Sequence, residues 1–250
     1  MSGIAFEEQK FDFWRSYLQG FSLNWQMIQS IFSFAKPLGH NEDSEELNLG
    51  FGFLYYGLVR ALHPSHVVVI GSGFGFSVVC MALGLKDNAQ GILSFIDPSY
   101  DVLKDGPFKT IGGRGMWSDP EFVFRHFERF GLEKYVTHYK STSQAFFTHY
   151  EGAGLPRVDL GFVDGNHAFK HVSHDFLQIA KRMEKNGYIL LHDTNIYLRE
   201  IIHHSGVKRW LSLVKGASSS FEVLNFPFSS GVALVRVLKD DAWKDLNLSS

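Results

Sequence analysis

Val67-Val68-Val69-Ile70-Gly71-Ser72-Gly73-Phe74-Gly75-Phe76-Ser77 decides the fold. Four β-branched residues in a row read as a parallel strand buried on both faces. A glycine-rich turn follows at once, and Ser77-Val78-Val79-Cys80-Met81-Ala82-Leu83 continues as a helix. Strand, tight turn and helix together build a nucleotide-type pocket at the carboxyl edge of a sheet. Glycine suits the turn because the backbone must bend sharply and let a ligand come close. The spacing is G-x-G-x-G at 71, 73 and 75, with Phe76 where a dinucleotide fingerprint has its third glycine.

The same grammar recurs downstream. Gly91-Ile92-Leu93-Ser94-Phe95-Ile96 is a second strand, ended by Asp97, 26 residues beyond Gly71. A carboxylate there can accept hydrogen bonds from ribose hydroxyls, or it can form a turn before Pro98. Val136–Lys140 is a third strand, and Ser141-Thr142-Ser143 after it can contact a ligand base or cap the helix from Gln144 to Tyr150. Val158–Val163 ends in Asp164-Gly165-Asn166-His167, and Tyr188–Leu191 ends in His192-Asp193-Thr194-Asn195. A right-handed crossover between these last two strands brings Asp164 and Asp193 to one edge of the sheet. Carboxylates that converge repel unless a proton or cation lies between them, and oxygen ligands suit Mg²⁺ or another hard divalent ion. Phe221–Phe226 and Gly231–Val237 read as an antiparallel hairpin that closes the sheet.

Around this frame the expectations are coarser. Phe11, Trp14, Leu18, Phe21, Trp25, Ile28 and Phe32 recur at helical spacing over about 6–36 and predict a helical cap. Such a cap either packs on the core, covers a ligand or forms a dimer surface in a homo-oligomer. Ser44-Glu45-Glu46-Leu47 predicts the start of a helix that runs to Leu62. Residues 98–119 are irregular, a length that suits a lid or else a disordered segment, with Arg114 and Trp117 as candidates for gripping a substrate. A helix from Tyr197 to Leu213 precedes the hairpin, and a polar loose end follows from Lys239. His192 reads as structural, and His167, His171 and His174 as a solvated helix face.

Composition excludes several classes. A formal charge of −2 leaves no electrostatic footprint for nucleic acid. No apolar run reaches membrane-spanning length, and the first residues lack a basic region followed by an apolar one. The single cysteine, Cys80, cannot form an internal disulfide. These traits suit a soluble, cytoplasmic chain that binds neither nucleic acid nor membrane.

The run Asp164-Gly165-Asn166-His167-Ala168-Phe169, Val172 and Asp175, followed by Gly187-Tyr188-Ile189 and His192-Asp193, carries a resemblance. It resembles D-G-x-H-x-[Y/F]-x-x-V-x-x-D followed by G-x-I-x-x-H-D. That pattern belongs to a group of class I S-adenosylmethionine (SAM) methyltransferases that includes macrolide and aminocoumarin sugar O-methyltransferases. The resemblance implies an α/β, Rossmann-like, seven-stranded and mostly parallel sheet with a C-terminal antiparallel hairpin. It implies a methyltransferase domain over 44–238, between the N-terminal helical cap of 1–43 and a tail of 239–250. It implies SAM as cofactor, held by Gly71, Ser72, Gly73, Gly75, Asp97, Ser143 and Asp164. It further implies a divalent metal such as Mg²⁺ on Asp164 and Asp193, His167 as general base beside Asp164, and a small hydroxylated acceptor. Two positions depart from the group: Val69 replaces an acidic residue two before the first glycine, and Thr194 follows Asp193 where relatives have a carboxylate or amide. A methyltransferase-fold protein that binds SAM or another nucleoside without methyl transfer is the alternative. A nicotinamide-dependent oxidoreductase is a third reading, which Phe76 opposes.

Overall fold

The computed structural model describes residues 21–100, 103–105, 108–110, 115–195 and 206–246. Its strands are β1 (His66–Ile70), β2 (Ile92–Ile96), β3 (Leu103–Asp105), β4 (Phe108–Thr110), β5 (Val136–Tyr139), β6 (Leu160–Val163), β7 (Tyr188–His192), β8 (Phe221–Phe226) and β9 (Val232–Val237). Its helices are α1 (Trp25–Phe34), α2 (Phe51–Leu62), α3 (Phe76–Asn88), α4 (Pro120–Glu128), α5 (Ser143–His149), α6 (Phe169–Ala180) and α7 (Gly206–Gly216). Seven described strands form one sheet in the order β5-β2-β1-β6-β7-β9-β8. The first five run parallel, and β9 pairs antiparallel with both β7 and β8. This is the doubly wound sheet with a closing hairpin that the sequence predicts.

The two-residue period of a strand divides the core. Val67 and Val69 of β1 pack with α1, α2 and α3 on one face, whereas Val68 and Ile70 pack with α5, α6 and α7 on the other. All five residues of β1 are buried, which explains its unbroken apolar run. On the second face α6 comes unusually close to the sheet. A side chain on Gly161 of β6 would put its Cβ 2.6 Å from Ile179 of α6. That approach holds the loop entering α6, and hence Asp164 and His167, against the sheet edge.

Several local expectations need correction. The helix expected from Ser44 begins at Phe51. Asp43 Oδ1 instead accepts hydrogen bonds from the backbone of Glu45 (2.9 Å) and Glu46 (3.2 Å), and Asp43 and Asn48 exchange two backbone bonds of 2.8 Å. A local carboxylate that satisfies these amides competes with helix formation. Trp25, placed by its spacing on the buried stripe of the cap, is 62% exposed, and Ile28 and Ile31 make that contact. Asn24 caps α1 by accepting from Met27 N, so the described helix starts there, and Phe11, Trp14 and Leu18 lie outside the described residues. The 98–119 stretch is not wholly irregular, because β3 and β4 pair antiparallel and Met116–Ser118 forms a 3₁₀ turn. The expected loose end is docked as far as Leu246: Ala242 and Leu246 are buried and Asp240 accepts from Lys185 N. The expected start of the helix at Tyr197 lies outside the described residues. Among the described residues, no helix is long and apolar enough to cross a membrane.

The tight α6–β6 contact yields a test. Gly161→Ala adds one methyl group where Ile179 already stands, and overpacking of this kind costs about 1–3 kcal/mol. Urea unfolding of the variant should show a lower midpoint with an unchanged slope; an unchanged midpoint would show that α6 is free to retreat.

Candidate active site

One cavity of about 970 Å³ opens at the carboxyl edge of β1, β2, β6 and β7. Gly71, Ser72 and Gly73 line it, with Asp97 from the end of β2 and Ser143 from the start of α5. Asp164, His167 and Asp193 line it as well. So the structure brings into one chamber nearly every residue that the sequence singles out. Gly75 is the exception. It does not line the cavity but sits behind the turn at φ +89°, where a Cβ would lie 3.0 Å from the ring of Trp117. Trp117 is buried, and its Nε1 donates to the Gly73 carbonyl at 3.0 Å. It therefore braces the glycine turn from beneath and does not grip a substrate. Arg114 lies outside the described residues.

Asp97 lines the cavity from the end of β2. Burial pushes its carboxyl up to about 6, against the opposing hydrogen bond from Ser99 N to Oδ1 at 2.7 Å. Thr142 performs the capping role, accepting from Ala145 N at 3.2 Å, which leaves Ser143 to the cavity wall.

The chemistry concentrates at the ends of β6 and β7. His167 Nδ1 lies 3.0 Å from Asp193 Oδ2, and its Nε2 lies 3.7 Å from Asp164 Oδ1. His167 precedes α6, so it belongs to the loop and not to the helix face that His171 and His174 share. Asp193 holds a left-handed backbone at φ +61°. For a residue other than glycine this costs of order 1 kcal/mol, and such strain concentrates at functional sites.

His192, read from the sequence as structural, packs against this cluster. Its Nδ1 donates to Asp164 Oδ1 at 2.9 Å, and its Nε2 donates to the Gly39 carbonyl at 3.2 Å. Both partners are acceptors, so the ring must carry both protons. Burial opposes that charge, but the Asp164 carboxylate outweighs it and raises His192 to about 9. In the same way burial would raise Asp164, but the charge and hydrogen bond of His192, with His167, hold it far below the usual carboxylate range. His40 stacks on His192 with ring centroids 4.2 Å apart. Burial and the neighbouring cation push His40 well below its ordinary value, so it is neutral and shares a 2.9 Å hydrogen bond with Tyr55. Nothing in the local sequence marks His40; the contact arises from a segment 152 residues away from its neighbour.

The donor set at this corner suits a divalent ion. Ligand atoms of Asp164, His167 and Asp193 lie within 4.8 Å of one another, so the two carboxylates fit a shared cation beside the imidazole. Thr194 and Asn195 do not extend the set. Thr194 Oγ1 donates to Asn225 at 2.8 Å and Asn195 Nδ2 donates to the Pro227 carbonyl at 2.9 Å. The side chain of Val69 is buried in β1, so no carboxylate stands at that position.

Fold and site together define the class I SAM-dependent methyltransferase architecture. Residues 68–194, just over half of the chain, match the family described as a methyltransferase domain, and the chain belongs to that family. Among solved structures it is similar to the O-methyltransferase TomG of Streptomyces achromogenes, involved in tomaymycin synthesis and solved with SAM. The TM-score is 0.61 at 16% identity, over 85% of this chain and 88% of that one. It is likewise similar to an O-methyltransferase of Bacillus cereus solved with S-adenosylhomocysteine (SAH). There the TM-score is 0.59 at 15% identity, over 85% and 89% of the two chains. Among curated proteins it matches uncharacterized protein y4gI of Sinorhizobium fredii, 26% identical over 178 residues. That match covers 71% of this chain but only 18% of the relative, so the chain spans a small part of that protein's length.

The His192–Asp164 pair predicts a pH signature. Asp164 is depressed, so its contribution is present above about 4 and is lost as pH falls; His192 is raised, so its contribution fades as pH climbs through about 9. His192→Phe removes the main partner of the Asp164 charge and leaves only His167 near it, at a cost of up to about 3–5 kcal/mol. Denaturation at pH about 7 should show that loss, and it should shrink above about 9, where wild-type His192 has itself lost its proton. A loss that stays constant across this range would rule out a charged pair.

Proposed function

We propose that the chain transfers a methyl group from SAM to a hydroxyl oxygen of a small acceptor, and that it does so in the cytoplasm. One observation carries this reading: the glycine turn and the Asp164–His167–Asp193 cluster share a cavity of about 970 Å³. That is at the upper end of the range for small-molecule sites, enough for a cofactor and an acceptor side by side. The two O-methyltransferases with SAM or SAH bound support the choice of cofactor.

In this reading Gly71, Ser72 and Gly73 let the cofactor lie against the backbone, and Asp97 accepts from its ribose hydroxyls. Bound SAM supplies an electrophilic methyl group on a sulfonium. Asp193 accepts from His167 Nδ1–H, which fixes the tautomer and leaves Nε2 to take the acceptor's proton. The acceptor oxygen, once deprotonated, is aimed in line by the cavity wall, where Leu38, Phe74 and Tyr100 stand. Asp164 and Asp193 would hold a divalent cation, Mg²⁺ first, whose chemistry when bound is to lower the pKa of the acceptor hydroxyl. His192, by neutralising part of the Asp164 charge, makes that cation weakly held. A second reading, SAM binding without transfer, draws on Val69 and on Thr194 turned toward Asn225.

The test is methyl transfer from labelled SAM to a panel of phenols, sugars and other hydroxylated molecules, with Mg²⁺ or with EDTA. His167→Ala should lower kcat by about 10²–10⁴-fold, the usual contribution of a general base, while SAH affinity stays within about threefold. An equal loss of SAH affinity would place His167 in cofactor binding. Wild-type protein that binds SAH yet methylates nothing in the panel would favour the second reading.

A further inference from the structure

A second cavity, of about 330 Å³, lies outside the chamber described above, between α4 and the edge strand β5. Its size is at the lower end of the range for small-molecule sites. Val123, Phe124 and Phe127 of α4 and Val136 of β5 give it apolar walls, and Phe124 is 53% exposed.

Two polar groups of the lining have bonding capacity to spare. His138 Nε2 lies 3.1 Å from the Asp97 carbonyl, which can only accept, so that nitrogen carries the proton. Burial holds the ring below its ordinary value, so it is neutral. Its Nδ1 is therefore an acceptor, and it has no hydrogen-bond partner among the described residues. Lys140 Nζ donates to the Ser118 carbonyl at 3.1 Å and has no acidic partner among the described residues. Glu133, the other charged residue of the lining, precedes β5 whereas Lys140 follows it, so the two charges stand at opposite ends.

The same lining leads into the main chamber. Trp117 borders the second cavity and donates to the Gly73 carbonyl at 3.0 Å; His138 borders it and donates to the Asp97 carbonyl. Gly73 and Asp97 both line the main chamber. A ligand resting on Trp117 and His138 thus bears on the glycine turn and on the exit of β2 at once. We propose that the second cavity is a regulatory site for a small aromatic acid. The ring lies against Val123, Phe124 and Phe127, the carboxylate pairs with Lys140, and an N–H or O–H of the ligand donates to His138 Nδ1. Filling the site steadies the glycine turn, so it tightens cofactor binding, and by linkage the cofactor tightens the acid equally. The coupling rests on the SAM reading of the main chamber; the site itself does not.

Indole-3-acetate is the probe, because it carries the ring, the carboxylate and an N–H, and its ring bears no hydroxyl. Calorimetric titration of the full chain, with and without saturating SAH, should show one probe bound per chain. 1-Methylindole-3-acetate, which lacks the N–H, should bind about tenfold more weakly. Lys140→Glu and Phe124→Ser should each weaken the probe by about tenfold or more. Both side chains are exposed, so SAH affinity of the two variants should stay within about twofold, which also shows that they fold. Saturating probe should raise the SAH affinity of the wild type by about threefold or more. Wild-type protein that does not bind the probe overturns the site. Binding that neither variant weakens overturns it too, by placing the probe elsewhere. An SAH affinity indifferent to saturating probe overturns the regulatory role while the cofactor reading stands. Probe binding that Lys140→Glu abolishes, in a protein that binds no SAH, overturns the cofactor reading and the coupling and supports the site.

Discussion

Gly71 passes so close to the end of β6 that any side chain there would overlap the Asp164 carbonyl, with its Cβ 2.4 Å away. The backbone is left-handed at that point, φ +69°, a conformation that glycine adopts without strain. Gly71 N donates to the Ile96 carbonyl and Asp164 N donates to the Ile70 carbonyl, both at 2.9 Å. The exits of β2, β1 and β6 are thereby tied together. The residues at those exits, Asp97, the glycine turn and Asp164, cannot drift apart without breaking the sheet. The site is a property of this junction, and the alignment of its residues is inherited from strand pairing.

Charge is handled by the same economy. Two carboxylates and three imidazoles crowd a largely buried corner, and the arrangement is stable because each charge has a named partner. His192 and Asp164 neutralise each other, His167 lies against Asp193, and His40 stays neutral while it covers the cation. The N-terminal segment completes this arrangement. Glu42 accepts from His40 N at 2.6 Å and Gly39 N at 3.2 Å, which fixes the turn whose carbonyl receives His192 Nε2–H. A segment outside the matched family region thus supplies one wall of the cavity.

Most of the sheet was legible because buried parallel strands are dense in β-branched residues and end in glycine or aspartate. The paired carboxylates were legible because a right-handed crossover leaves adjacent exits on one edge. His40, His192 and Trp117 were not legible in their roles. His192 occupies an inward position on a strand in the same way as any buried side chain, and its charge follows only from two acceptors, one of them 153 residues away. Trp117 lies in the irregular stretch whose length suggests a substrate-gripping role, yet its ring is buried and its N–H is satisfied by Gly73, which is ordinary packing. The start of α2 is not legible because acidic residues at 45 and 46 suit a helix terminus, whereas the Asp43 side chain satisfies their amides.

The central claim is that this junction binds the cofactor despite Val69. A thermal-shift titration with SAH, with NAD as the control, tests it most directly. SAH at one hundred times its dissociation constant should stabilise the protein by about 2.7 kcal/mol and raise the midpoint, with no response to NAD. No response to SAH at millimolar concentration, or an equal response to NAD, would contradict the account.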